Sequence, residues 1–423
     1  MIKKINLKSD FLKYVVVLMS GTLAAQLINL GLSVPLFRYF YTPEEAAEWG
    51  LFLRIIGVGG ALATARYEFA MPVTKIDVHA FRLYRFALST ALKVTLISVI
   101  AAIIPILLSD NSPDLIFYAL IPAGLLLAAY YSIGTNWAIR TKTFRSISLS
   151  KVANSSVGGG FKLLFGWMGT GYIGLIIGTI IGLIAANTWF LLDFFKAKKK
   201  YRITAKSLRN KVLAKQYIEF PKVNLPHTIM DLGRDLLVAI LILEIFTKAD
   251  FGFFDQSYRI LRLPLMLAGL AISQVFFQRC AEMFSKGQDI YPLILKSVKL
   301  LTLISIVPFT LIFFYGDEMF AFVFGERWRQ AGEYSEIMAP WFMMNFIASP
   351  ISFLPLVLNK QRQFFLMATG GALLMILSLT LPSYFYQADV TVTLWAMSLS
   401  QVAYFVFVIF KIFQYVKQSR PAK

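Results

Sequence analysis

Arg259 and Arg262 stand in the otherwise apolar stretch YRILRLPLMLAG, residues 258–269, three positions apart and so on one face of a helix. Two guanidinium groups at that spacing could hold an anion, because each presents a planar fork of N–H donors matched to the oxygens of a carboxylate or phosphate. What they do depends on the solvent that the helix meets. A charge at the centre of a bilayer costs about 2.5–3.5 kcal/mol on insertion scales, so arginines in lipid would need a partner or a wet surface.

The elements that must position these arginines are membrane helices. The 423 residues are 57% hydrophobic and 15% charged, well below the roughly 25% charged residues of a soluble domain. Apolar runs long enough to cross a hydrocarbon core recur along the whole length. We read twelve spans, at 14–37, 47–73, 84–108, 115–138, 150–169, 171–195, 217–245, 251–278, 293–315, 334–357, 364–386 and 390–412. The runs are continuous, which predicts helices; a barrel would need short alternating strands. The expected fold class is therefore an all-α polytopic membrane protein.

Charge in the connections orients the spans. The tails and even-numbered connections carry Lys3, Lys4, Lys8 and Lys13, nine Lys and Arg between Lys196 and Lys215, and Lys411, Lys417, Arg420 and Lys423, whereas the opposite loops hold four basic residues. Those opposite loops carry Glu44, Glu45, Glu48, Asp110, Asp114, Asp317, Glu318, Glu326, Glu333 and Glu336. Basic loops stay in the cytoplasm, so both termini are expected there. The net charge of +19 is accounted for by this asymmetry and does not call for nucleic acid. The run KAKKKYRITAKSLRNK, residues 196–211, is a cytoplasmic loop suited to anionic headgroups. The N-terminal apolar run continues past a typical signal-peptide core, which predicts an uncleaved first span.

Within the spans lie Arg54, Arg66, Lys93, Lys162, Lys222, Arg234, Arg259 and Arg262. Lys162, Arg234, Arg259 and Arg262 fall near mid-span, with Arg54 and Lys93 shallower. Arg66 and Lys222 lie near cytoplasmic ends, where snorkelling explains them. Asp231 and Asp235 flank Arg234, and Asp255 precedes Arg259 by one turn. Mutual neutralisation is one reading of this set. The other is an anion-accepting cavity, favoured because Arg54, Lys162, Arg234, Arg259 and Arg262 make five cations against three carboxylates.

AEWGLF at 47–52 and ADFGFF at 249–254 each open an even-numbered span, with Gly50 and Gly252 separated by 202 residues (252 − 50). This suggests an internal repeat, with lobes at 1–195 and 217–423 joined by a basic linker at 196–216. Two such halves would form a parallel-repeat transporter. Pro221, Pro226, Pro264, Pro340, Pro350 and Pro355 permit kinks in spans 7, 8 and 10. SVGGGFK at 156–162 sets three glycines beside Lys162, while Gly174, Gly178 and Gly182 form a close-packing face on span 6. Enzymatic chemistry finds little support: His79 and His227 are the only histidines, Cys280 is the only cysteine, and no metal-spaced cluster, phosphate loop or nucleophile elbow occurs.

The stretches SGTLAAQLINLGLSVPLFRYFYTPEEAAEWGLF (20–52), ARYEFAMPV (65–73), FPKVNLPHTIMD (220–231), RILRLPLMLAGLAISQVFFQRCAEMFSKGQD (259–289) and FGERWRQAGEYSEIMAPW (324–341) resemble, in order and over nearly the whole chain, the Wzx-type polysaccharide flippases. These belong to the multidrug/oligosaccharidyl-lipid/polysaccharide exporter superfamily. The resemblance implies a bacterial inner-membrane protein of two six-helix lobes around a central cationic cavity, moving an undecaprenyl-pyrophosphate-linked oligosaccharide from the cytoplasmic to the periplasmic leaflet. Basic residues on spans 2 and 8 of related flippases match Arg54 and Arg259, with Arg262 one turn further on, as pyrophosphate-binding groups. Arg234 and Lys162 are further candidates with no motif behind them.

The family is antiporter-like, so Asp231, Asp235 or Asp255 would bind a coupling ion, and the sequence does not choose between sodium and protons. No other cofactor and no metal are expected. Expected partners are the lipid-linked oligosaccharide, membrane lipids and the polysaccharide polymerase and chain-length machinery, with no nucleic acid. Two other functions stay open: a small-molecule or drug exporter of the same superfamily, which favours a less cationic cavity, and a membrane-embedded polymerase or glycosyltransferase. The latter needs a catalytic outer loop, and the connection containing GERWRQAGE is short for that, although it could guide sugar release.

Overall fold

The computed structural model of the chain describes residues 7–108, 114–201, 207–352, 354–358 and 360–418. Lys3, Lys4, Asp110, Arg420 and Lys423, and residues 202–206 of the basic run, lie outside the described residues. The described residues are helical throughout, without strands. The helices are α1 (Leu7–Pro35), α2 (Pro43–Thr64), α3 (Asp77–Leu108), α4 (Leu115–Thr141), α5 (Phe144–Trp167), α6 (Tyr172–Tyr201), α7 (Ser207–Gln216), α8 (Glu219–Ile245), α9 (Lys248–Ser285), α10 (Tyr291–Phe324), α11 (Arg329–Ala348), α12 (Leu354–Val357), α13 (Gln361–Tyr386) and α14 (Val390–Gln418).

All but α7 and α12 have 20 residues or more, and these long helices correspond one to one with the expected spans. Their exposed faces are apolar: Leu96 and Ile100 on α3 are 67% and 66% exposed, and Leu303 and Val307 on α10 are 69% and 64% exposed. Such stripes are unfavourable in water and ordinary in a bilayer, and the chain is a multi-pass membrane protein. Eight of the helices are apolar enough to cross a membrane by composition alone. The remaining long ones, α5, α8, α9 and α11, hold most of the charges expected inside the spans.

The chain forms two compact units, Met1–Leu236 and Leu237–Lys423. The division falls inside α8, whereas the sequence suggested a linker at 196–216. Residues 207–216 of that linker fold as α7, which packs on α3 with Leu213 and Ala214 buried. In the first unit α4 packs against α2, α3 and α6, and α5 against α1 and α6. In the second, α11 packs against α9, α10 and α14, and α13 against α14. Counting six spans on, α2 with α4 becomes α9 with α11, α3 with α4 becomes α10 with α11, α4 with α6 becomes α11 with α14, and α5 with α6 becomes α13 with α14.

The repeat extends to helix starts. Thr42 caps α2 and Thr247 caps α9 through the same reciprocal motif, in which the threonine backbone N–H donates to the carboxylate of Glu45 (2.8 Å) or Asp250 (3.1 Å) and that residue's N–H donates back to the threonine hydroxyl. Each cap satisfies otherwise orphan donors and is worth about 1 kcal/mol. The two caps are 205 residues apart (247 − 42), three more than Gly50 and Gly252, so the helix starts and the sequence strings repeat in slightly different register.

Three spans differ from their expected limits for local reasons. α2 ends at Thr64, where Ala65 and Arg66 both take left-handed backbone conformations (φ 47° and 59°), and residues Tyr67–Val73 form a 3₁₀ turn. α11 stops at Ala348, ahead of Pro350, so the tenth span is shifted toward the connection with α10. α10 bends at Tyr315, just before Gly316, which packs so closely on Gly332 that a Cβ at Gly332 would lie 2.4 Å from the Cα of Asp317.

The glycine faces pack as expected for span 6. A Cβ on Gly158 would stand 3.1 Å from the Gly178 carbonyl oxygen, and one on Gly182 would stand 2.9 Å from the Cα of Gly158. Gly160, by contrast, faces open space. One end of the first unit is filled by aromatic rings, among them Phe81 against Trp137 (5.6 Å between centroids) and Tyr84 against Phe194 (5.2 Å).

Candidate functional site

In the first unit, α2 gathers two of the expected cations. The half-buried Arg54 donates from Nη1 to the carbonyl of Gly50 at 3.1 Å, one turn back on its own helix. Lys162 comes from α5 and sets its ammonium 4.2 Å from the centre of the Trp49 ring. Trp49 in turn donates from Nε1 to Thr179 Oγ1 at 2.8 Å, and Tyr41 OH donates to the Lys162 carbonyl at 2.7 Å. Trp49 and Gly50 are neighbours, so both cations engage one short stretch of α2.

The third expected group of the first unit is on α8. Arg234 donates to Asp235 Oδ1 from Nη2 (2.9 Å) and Nε (3.2 Å), both side chains being partly buried. Asp231, expected to flank Arg234 as a second partner, approaches His227 Nδ1 at 3.5 Å across one helical turn. Both are about half exposed. The pairing with His227 follows from i, i+4 spacing and could have been read from the sequence.

In the second unit, α9 carries Asp255, Arg259 and Arg262. Asp255 is buried and pairs with Arg259, four residues on, whose side chain is 31% exposed. Arg262 is exposed, with its Cζ 5.2 Å from the centre of the Tyr258 ring. That ring is held by Trp341 (5.9 Å) and Phe342 (5.3 Å) of α11. Neutralisation therefore describes Asp255 and Arg259, while Arg262 rests on an aromatic face.

Sequence reasoning missed a polar group at the end of α2. Arg66 does not snorkel. Its Nη1 lies 3.3 Å from Glu68 Oε1, its Nε donates to Thr228 Oγ1 of α8 at 3.0 Å, and its Cζ stands 5.0 Å over the Phe69 ring. Glu68 is fully buried, and its Oε1 also accepts from Ser132 Oγ of α4 at 3.0 Å. The left-handed pair Ala65 and Arg66 turns the chain so that both side chains reach this position. The signal available was an Arg-x-Glu spacing inside ARYEFAMPV.

The connection with GERWRQAGE is tied down by Arg329, whose Nη1 donates to Asp317 Oδ2 (2.7 Å) while Nε and Nη2 donate to the two oxygens of Glu326 (2.9 Å each). This hydrogen-bonded fork holds the Glu326 carboxyl below its usual range. Tyr334 OH donates to Asp250 Oδ1 at 2.7 Å, connecting the start of α11 to that of α9. Among the described residues no group of His, Cys, Asp and Glu is arranged to hold a metal ion.

This arrangement of membrane helices, with cations set on aromatic rings in each of two units, has counterparts among solved structures. An inward-facing multidrug resistance MATE family transporter of the MOP superfamily shares the fold at a TM-score of 0.72, with 12% identity over 96% of this chain and 98% of the other. The lipid II flippase MurJ, in an inward closed conformation, matches at 0.69, with 13% identity over 96% and 90%. Among proteins of curated function, none matches the chain by sequence. The profile of the family described as polysaccharide biosynthesis protein matches residues 74–333, and the chain belongs to that family. The match includes Lys162, Asp231, Arg234, Asp235, Asp255, Arg259 and Arg262, and begins after Arg54. Family and fold both agree with the resemblance of the sequence to Wzx-type flippases.

Proposed function

We propose that the protein flips an undecaprenyl-pyrophosphate-linked oligosaccharide from the cytoplasmic to the periplasmic leaflet of the bacterial inner membrane, by alternating access, for surface polysaccharide assembly. The observation that carries this reading is the pair Arg259 and Arg262. At 1.5 Å per residue they stand roughly 18 and 22 Å along α9 from its capped start, within the depth of a hydrocarbon core of about 30 Å. Arg259 is partly exposed and Arg262 exposed, which in a membrane requires an aqueous surface. A pyrophosphate is the anion that such a pair of planar forks suits best. The family match to polysaccharide biosynthesis supports an oligosaccharide as the cargo, and a multidrug substrate gives no reason for two arginines there.

Arg54, Lys162 and Arg234, which belong to the first unit, are further candidate anion-binding groups. Asp231, Asp235 and Asp255 are the candidate carboxylates for a coupling sodium ion or proton. The lysine-rich connections place both termini in the cytoplasm. The test is transport of a labelled lipid-linked oligosaccharide by purified protein in liposomes, with glycosyl transfer monitored in the same vesicles. Movement of label to the opposite leaflet without new glycosidic bonds is the expected result; bond formation, or no movement above protein-free vesicles, defeats the proposal.

A further inference from the structure

Where the first turns of α3 meet α7, the first unit encloses a cavity of about 650 Å³ lined by Ile76, His79 and Arg82 on one side and Val212, Leu213 and Gln216 on the other. His79 and Arg82 are three residues apart, so they share a face of α3, and both are half-buried. Among the described residues neither side chain has an ion-pair or hydrogen-bonding partner. The nearest carboxylate in sequence, Asp77, is taken by Arg140 Nη2 at 2.8 Å. A half-buried guanidinium lining an open cavity suits an anion, because burial has cost its donors part of their access to water.

The lip of the cavity has the opposite character. Ile76 is 53% exposed, Val212 is 70% exposed, and Val73 just before the α3 start is 59% exposed. Apolar side chains so exposed beside exposed Lys75 and Lys215 make an amphiphilic rim at the start of α3. Cations inside and an aliphatic lip outside match one ligand chemistry: a phosphate diester attached to acyl chains. A free phosphate would use the cations and leave the lip in water.

We propose that this cavity binds an anionic phospholipid of the cytoplasmic leaflet, with its phosphate against Arg82 and His79 and its glycerol and upper acyl chain along Ile76 and Val212. The assignment to the cytoplasmic leaflet rests on the orientation proposed above; the binding itself does not depend on transport. Leu213 and Ala214, buried in the core of the unit, hold α7 as the outer wall, so the basic connection serves as part of a lipid site.

The test uses the full-length protein purified in detergent and native mass spectrometry with phosphatidylglycerol, phosphatidylcholine and glycerol phosphate as probes. Phosphatidylglycerol should be retained severalfold better than phosphatidylcholine, and Arg82→Gln combined with His79→Gln should abolish that preference. Val212→Asp leaves Arg82 and His79 in place and should lower retention of phosphatidylglycerol alone. Unfolding temperatures of the variants, expected to match the parent, separate lost binding from lost fold. Equal retention of the two lipids, an undiminished preference in the double variant, or displacement of the lipid by glycerol phosphate at equal concentration overturns the proposal. Transport in liposomes is a separate readout, so failure here leaves the flippase reading standing and failure there leaves this one.

Discussion

Arg66 reaches Thr228 over 162 residues of sequence, donating from Nε to the hydroxyl at 3.0 Å while its Nη1 faces the fully buried Glu68. The contact fastens the end of α2 to the first half of α8. Removing Arg66 would strand a buried carboxylate with Ser132 as its remaining donor. Arg66→Ala should therefore cost about 3–5 kcal/mol, read as a lower unfolding midpoint in detergent. Thr228→Val removes one hydrogen bond from a guanidinium that can recruit water and should cost about 1 kcal/mol. An Arg66→Ala protein as stable as the parent would rule out a structural role for the pair.

On α9 the two arginines should separate by phenotype. Arg262→Gln is expected to keep the folded amount and reduce transport, with Arg262→Lys rescuing only partly, because an ammonium lacks the two-pronged fork. Arg259→Gln leaves Asp255 buried and unpaired and should lower the folded amount; adding Asp255→Asn should restore folding but not transport. Full transport by that double variant would remove Arg259 from the substrate site.

Orientation follows from the basic connections. Reporter fusions after Lys4, Lys200 and Lys417 should all signal cytoplasm, and one within Ser109–Pro113 the outer side. A single outside signal at Lys200 contradicts the twelve-span topology.

Gly182→Ala places a methyl group 2.8–2.9 Å from atoms of Asn154 and Gly158 and should destabilise by about 1–3 kcal/mol through overpacking. Gly160→Ala meets no atom within 4 Å and should stabilise the helix by up to about 1 kcal/mol. Thermal unfolding of the two variants side by side checks both signs.

Glu326 has its carboxyl lowered by the hydrogen bond from Arg329, so the contribution of this contact is present above the ordinary glutamate range and is lost as pH falls through the lowered value. The protection of amides in residues 325–333 against exchange, taken relative to the intrinsic rate at each pH, should be high at neutral pH and fall on acidification below the ordinary glutamate range; the loss of protection is what is compared between variants. In Glu326→Gln the loss of protection over this range should disappear.

The long helices were legible because continuous apolar runs are a strong and local signal. The end of α2 was not: nothing in ARYEFAMPV announces two consecutive left-handed residues, and Glu68 is held by Ser132, 64 positions away. The α11 shift is a case of proline punctuation read too loosely, since Pro350 ends the helix that was drawn through it. Arg259 and Asp255 were identified from one-turn spacing, and they do pair. Lys162 was identified by depth alone, and its support by Trp49 comes from a different helix with no sequence mark. The α7 helix was hidden at the end of a basic stretch, and Leu213 and Ala214, its described buried residues, are adjacent and make no periodic pattern.

In both units a cation expected at the substrate lies on an aromatic ring, Lys162 on Trp49 and Arg262 on Tyr258. A long basic side chain free in water surrenders much rotamer freedom when a ligand fixes it, on the order of 0.5–1.5 kcal/mol per side chain. One already resting on a π face has surrendered part of that and part of its hydration beforehand. If Lys162 and Arg262 meet the anion as proposed, these rings are preorganising seats: Trp49→Leu or Tyr258→Leu would leave every charge in place and still weaken anion capture, through entropy and not through electrostatics.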